Sequence, residues 1–198
     1  MTARYLDTLE KPEDLAAVAA SFAHARQHEL RYRVAVGARN PAEVVRFAGG
    51  WLFDRVHAGW DVTVVVSEHG DPRPLQILGA NVLHLDDCLA WATYDTWPHL
   101  LVLDTALFDT DPRVLSIVMA TVDTGRSDVM LWGDVVPDEM SRRMGPVSHR
   151  LSSAAKAFKA RACTAAAVPT AEVDQEESFR LAAWPVLEFP RADMGRTG

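Results

Sequence analysis

The stretch 99-HLLVLDTALFDTD-111 decides how the rest of the chain is read. An apolar run entered from Pro98 stops abruptly at Asp104 and passes into Thr, Asp and finally Pro112. A short run that is apolar at every position and bounded by turn residues is the pattern of a strand buried on both faces. Such strands belong to parallel sheets, and in an open parallel sheet ligands gather just beyond the carboxyl ends of the strands. Asp104, Thr105 and Asp109 therefore stand where a ligand is expected.

Working outward, strand-like and helix-like segments alternate. Strands are expected at Arg31 to Val36, Asp61 to Ser67, Asn81 to Leu85, in the opening run, and at Asp128 to Trp132. Between them, Asn40 caps a helix that has Pro41 at its first position and closes at Gly59, and Asp111 caps another that begins at Pro112 and ends at Gly125. PLQILGA forms a short helix ending at Gly79, and Asp86-Asp87 cap the segment CLAWATYDTW. Pro12 to about Leu30 reads as an N-terminal helix with Leu15, Val18, Ala19 and Phe22 on one stripe. Pro137 to Met144 is a short helix stopped by Gly145-Pro146, and a longer one runs from Val147 to about Cys163 on the stripe Val147, Leu151, Ala155, Phe158, Ala162. The expected fold is α/β: a three-layer, Rossmann-like or flavodoxin-like, doubly wound and mostly parallel five-stranded sheet. Residues 1–163 form one domain that includes the helix over 12–30. Residues 164–198 form a partly disordered tail, with an edge strand or docking peptide at Trp184 to Phe189.

The chain has 198 residues and a formal charge of −7, which suits a single domain and argues against a protein that coats nucleic acid. Every apolar stretch is broken by charge before it reaches membrane-spanning length. The start, MTARYLDTLEKPEDL, has acids where a secretory signal carries an apolar core, so a cytoplasmic place is expected. Cys88 and Cys163 lack any metal-ligand spacing and read as small buried or half-buried residues. Charge is uneven: Asp138 to Arg161 holds six Lys/Arg against two acids, a local +4 that leaves −11 elsewhere. Arg150, Lys156, Lys159 and Arg161 of that stretch are expected to face outward, toward an anionic surface: an acidic protein partner, a nucleic-acid backbone or the chain's own acidic tail around Asp174, Glu176 and Glu177, with a solvated polar face as the alternative.

Asn40, Glu68, His69, Asp86, Asp87, Asp104, Asp109 and Asp134 all fall at or just after strand ends. Together they suggest an acidic rim with one histidine, able to offer oxygens to a hard cation. Asp and Asn are also the preferred helix caps and turn residues, so capping competes with metal binding, and no metal set is assigned. The first βα turn, GARNPAE, lacks the glycine fingerprint of a dinucleotide site. A phosphate could still rest on the helix after Asn40 with Arg39 as counter-charge. Gly49-Gly50 inside that helix is costly for a helix and implies close packing. No HExxH and no GxSxG occurs.

The run PHLLVLDTALFDTDP resembles the phosphoacceptor strand of response-regulator receiver domains, which implies a parallel five-stranded fold. Receivers carry an acidic pair after their first strand, where this chain has Gly37, Ala38, Arg39 and Asn40, and a Lys near the last strand, where it has Gly133-Asp134. The resemblance therefore implies the fold and not a working phosphoacceptor.

Two functions follow as expectations. The first is a non-catalytic binding or regulatory protein acting on a macromolecular partner or a small ligand. Arg39, Asn40, Asp104, Thr105, Asp109 and Asp134 bind the ligand, and the four basic residues bind the partner. The second is a nucleotide- or Mg-dependent enzyme using the strand-end carboxylates, with Asp104 as central ligand or base and His69 as proton carrier. The sequence names no cofactor and no oligomeric state.

Overall fold

A computed structural model of the chain describes residues 31–91, 97–169 and 175–182, together with Ala16 and Ala20, both helical. The remainder of the expected helix over 12–30 and the segment Trp184 to Phe189 lie outside the described residues. In chain order the elements are β1 (Arg33–Ala38), α1 (Pro41–His57), β2 (Asp61–Val66), α2 (Arg73–Ile77), β3 (Asn81–His84), α3 (Leu85–Trp91), β4 (Leu100–Asp104) and α4 (Ala106–Thr110). They continue with α5 (Pro112–Thr124), β5 (Asp128–Trp132), α6 (Asp138–Ser141), β6 (Met144–Arg150), α7 (Ser153–Ala165) and β7 (Glu176–Ala182).

The strands form one seven-stranded mixed sheet in the order β3-β2-β1-β4-β5-β7-β6. Neighbours from β3 to β5 pair in parallel, while β7 runs antiparallel to both β5 and β6. The expected five-stranded sheet is thus corrected to a mixed sheet of seven. Its 3-2-1-4-5 portion follows the Rossmann order rather than the 2-1-3-4-5 order of flavodoxin and receiver folds.

Strand alternation divides the core. Leu100, Val102, Met130 and Trp132 join Val34, Val36 and Ala38 in a cluster on the face covered by α1, α2 and α7. Leu101, Leu103, Val129 and Leu131 join Leu107, Phe108, Val114 and Val118 on the opposite face under α4 and α5. Because both faces are covered, all five residues of β4 are buried, as the apolar run requires.

Several local rules act as the sequence suggests. Asn40 and Asp111 accept hydrogen bonds from Glu43 N and Arg113 N at their helix starts, and Gly125 closes α5 in a left-handed conformation at φ 60°. Two corrections concern the C-terminal third. The helix expected from Val147 is strand β6 up to Arg150, and α7 begins only after Ser152, whose side chain accepts from Ala155 N. A domain boundary at 163 falls inside α7, and residues 176–182, expected in the tail, are β7, which joins β5 to β6. Asp86 and Asp87 lie in the first turn of α3 rather than before it. No helix among the described residues is long and apolar enough to cross a membrane.

Candidate active site at the carboxyl edge

β1 leads into α1 on one face, while its neighbour β4 leads into α4 and α5 on the other. Two adjacent parallel strands whose connections leave to opposite faces open a crevice beyond their carboxyl ends. Arg39 and Asn40 follow β1 at this crevice, and Asp104 ends β4.

Asp104 is 5% exposed, and its Oδ1 accepts a hydrogen bond from Ala106 N at 3.0 Å. Burial pushes its carboxyl above the usual aspartate range, against the opposing pull of the Ala106 N–H and the Arg39 charge. Thr105 is buried beside it, with its N–H donating to Trp132 O at 2.9 Å. Gly133 closes the floor: its φ is +112°, and a Cβ there would overlap Thr105 Oγ1 and lie 3.4 Å from Asp104 Oδ1. A glycine is required on both counts.

Arg39 is half-buried, and its Nε is buried with no hydrogen-bond acceptor. A buried donor without an acceptor costs about 1–3 kcal/mol, which a ligand anion would relieve. The loops after β1 and β2 are knitted together at the same edge. Glu68 N donates to Arg39 O at 2.7 Å, and Asn40 Nδ2 donates to Glu68 Oε2 at 3.2 Å, while Asn40 Oδ1 accepts from Glu43 N at 3.2 Å. Asn40 is therefore committed as a cap that braces the crevice.

The remaining rim residues divide. His69 is exposed and stacks on His84 at a centroid distance of 4.3 Å; His84 in turn shares a 3.0 Å hydrogen bond with Ser67 O. This pair stands at the ends of β2 and β3, with β1 between it and Asp104, so His69 is not brought to the carboxylate. Asp109 and Asp134 are exposed. Asp86 and Asp111 are joined by Arg113, at 2.7 and 2.5 Å, and that guanidinium holds the Asp111 carboxyl below its usual range. The continuous acidic rim thus resolves into Asp104, buried within the field of Arg39, Asp87, buried in α3, and several solvated or paired acids. Among the described residues no three of His, Cys, Asp and Glu come together as a metal-ligand set, so the Mg-dependent form of the enzyme reading has no donor set there.

The four basic residues expected on one outward face are not on one face. Arg150 lies in β6, outside α7. Lys159 is 4% exposed and donates from Nζ to Glu177 Oε1 at 2.6 Å, so its outward placement is corrected. Glu177, also 4% exposed, accepts from Gly50 N at 2.9 Å and Trp51 N at 2.7 Å. This carboxylate bears on the second glycine of the Gly49-Gly50 pair. At Gly50 a Cβ would overlap the Leu151 side chain and lie 3.3 Å from Glu177 Oε1, so only glycine admits β7 this close to α1. Of the anionic surfaces weighed for the basic residues, it is the chain's own acidic segment at Glu177 that Lys159 meets, and the glycine at position 50 was a further signal of it.

No family model matches the sequence, and no curated protein does. Solved structures share the fold. The antimicrobial-reagent pseudoaglycone deacetylase Dbv21 superposes with a TM-score of 0.53 at 16% identity, covering 76% of this chain and 96% of that one. A deacetylase–teicoplanin complex from the teicoplanin biosynthesis pathway gives 0.54 at 11% identity, covering 77% of this chain and 99% of the other. A deacetylase triple mutant from the teicoplanin biosynthetic pathway gives 0.51 at 12%, covering 78% and 99%. At these identities the likeness is one of fold. The expectation of a non-catalytic binding or regulatory protein, and the protein-binding role with it, is corrected to this extent: these three structures of the same fold are enzymes, on the side of the enzyme alternative.

Proposed function

We propose that the chain is an enzyme of the hydrolytic type working at the crevice between β1 and β4, with Asp104 moving a proton and Arg39 holding an anionic group of the substrate. The observation that carries this reading is the pairing at one topological switch point of a buried carboxylate with a guanidinium whose Nε has no acceptor. A carboxyl whose pKa burial raises holds its proton more readily than an ordinary aspartate and is better suited to give it up to a substrate. The N-terminus of α1, which follows Arg39 directly, adds backbone N–H groups and a positive helix end to the anion site, less the one that Pro41 lacks.

The likeness of fold to deacetylases supports an acyl group as the bond to be hydrolysed; Arg39 supports a substrate that also carries a carboxylate or phosphate. Asn40 and Gly133 are positioning residues, the first bracing the loop and the second leaving room for Thr105. Asp109, Asp134 and His69 are left outside the reacting group.

The test is a panel of N-acetyl and O-acetyl compounds, each with and without a phosphate or carboxylate, assayed by acetate release. Hydrolysis is expected for the anionic members. Asp104→Asn should lower kcat about 10²-fold or more, and Arg39→Gln should raise KM for the anionic members while leaving neutral ones unchanged. A hydrolytic activity that survives Asp104→Asn unchanged overturns the reading.

A further inference from the structure

The end of the sheet opposite the candidate site carries a cavity of about 230 Å3. Tyr32 and Trp60, which precede β1 and β2, line it together with Trp51 of α1, Phe179 of β7, Arg55 and Asp128. Its walls are mutually braced aromatic rings. Tyr32 lies 4.5 Å from Trp60, Trp51 meets Trp60 edge-on at 6.5 Å, and Trp51 lies 6.0 Å from Phe179, all centroid to centroid. A cavity walled by fixed aromatic rings with few polar groups is the form that small-molecule sites take.

Arg55 gives the cavity its chemistry. Its guanidinium sits 4.7 Å from the Trp60 ring and 5.6 Å from the Trp51 ring, so stacking holds it in place. Its Nε is buried without an acceptor, and among the described residues no carboxylate is paired with it. The other ionisable groups on the cavity are engaged or solvated. His149 shares a 2.8 Å contact with Asp54, and Asp128 is an exposed rim residue that accepts from Tyr32 Oη at 3.5 Å. A guanidinium fixed on indole rings and left without a counter-ion is preorganised for a planar anion, because its fork and the carboxylate match in geometry.

We infer that this amino-edge cavity is a binding site for a small aromatic carboxylate, whose ring packs among Tyr32, Trp51, Trp60 and Phe179 while its carboxylate pairs with Arg55. The site is separate from the crevice at Asp104, and its occupation does not depend on the reaction proposed there.

The test titrates 3-phenylpropionate and its neutral counterpart 3-phenylpropionamide into the full chain, followed by calorimetry and by tryptophan fluorescence, to which Trp51 and Trp60 contribute. The carboxylate is expected to bind saturably and about tenfold or more tighter than the amide, the difference a charge-assisted bond provides. Arg55→Gln should bring the carboxylate down to the level of the amide while leaving amide binding unchanged. The comparison of the two ligands on the parent protein needs no variant and stands even if Arg55→Gln folds poorly. Equal affinity for acid and amide overturns the inference, as does the absence of saturable binding at millimolar ligand. So does acid binding that a folded Arg55→Gln retains in full.

Discussion

Replacing Glu177 by Ala should be the most damaging single change available in the C-terminal third. The carboxylate accepts three hydrogen bonds, from Gly50 N, Trp51 N and Lys159 Nζ, all inside the protein. Removing it leaves a buried ammonium without its partner, a loss of about 3–5 kcal/mol for breaking a buried pair. It also takes a carboxylate acceptor from the Gly50 and Trp51 amides, so the upper end of that range, about 5 kcal/mol, is expected. For a domain of this size that is a fall in Tm of about 10–20 °C. Lys159→Met should cost less, about 3 kcal/mol, because the carboxylate keeps both backbone donors. Combining the two changes should cost less than their sum, since each removes the other's unpaired charge. Urea unfolding followed by circular dichroism measures all three. The difference between parent and Glu177→Ala should persist at high salt, because a buried pair is poorly screened. A loss under about 1 kcal/mol for Glu177→Ala, or strictly additive effects, would refute the assignment of a shared buried charge network.

Asp104→Asn should leave the protein at least as stable at neutral pH. The folded carboxyl titrates above its unfolded value near 4, so the parent loses stability as pH rises from there through the raised folded value; the gain from Asn should therefore vanish in melts below about pH 4 and grow as pH rises above it. Gly133→Ala places a Cβ at φ +112° against Thr105 and should destabilise by about 1–3 kcal/mol while lowering any activity that depends on Asp104, checked by melting and by acetate release. The Cys88 thiol, pushed up to about 12 chiefly by burial and further by Asp87, and the buried Cys163 should react with a thiol reagent at pH 8 far more slowly in the native than in the unfolded protein.

The parts of the fold legible in the sequence are those where a local pattern and the final environment agree. β4 and β5 are apolar at nearly every position because helices cover both faces, and Asn40-Pro41 and Asp111-Pro112 announce helix starts by capping chemistry alone. β6 and β7 were hidden because MGPVSHR and EESFRLA are half polar and contain Gly, Pro or paired acids. They become strands through pairing with each other, from Met144↔Ala182 to Arg150↔Glu176. Lys159 was read outward because a lysine on a helix is usually solvated. Only the approach of Glu177, eighteen residues further along in β7, makes its buried place tolerable. Asp104 could be singled out because an apolar run ending in one acid places that acid at a strand's carboxyl end. What the sequence could not say is that Asp109 and Asp134 stay in solvent while Asp104 is buried within the field of Arg39, since that depends on which way each loop leaves the sheet.

The placing of β7 between β5 and β6 bears on the order in which the molecule assembles. β6 is made before β7 yet touches the sheet only through it, so during synthesis residues 144–150 have no strand to join until residues 176–182 have emerged. Until then β5 presents an open edge and α1 has no carboxylate for its Gly50 and Trp51 amides. Pairing of that kind closes a long loop late and exposes a sheet edge while it waits. The last strand therefore acts as a latch: a chain halted at Ala165 would hold most of its apolar core but leave β6 adrift, and its characteristic failure would be edge-to-edge association rather than simple unfolding.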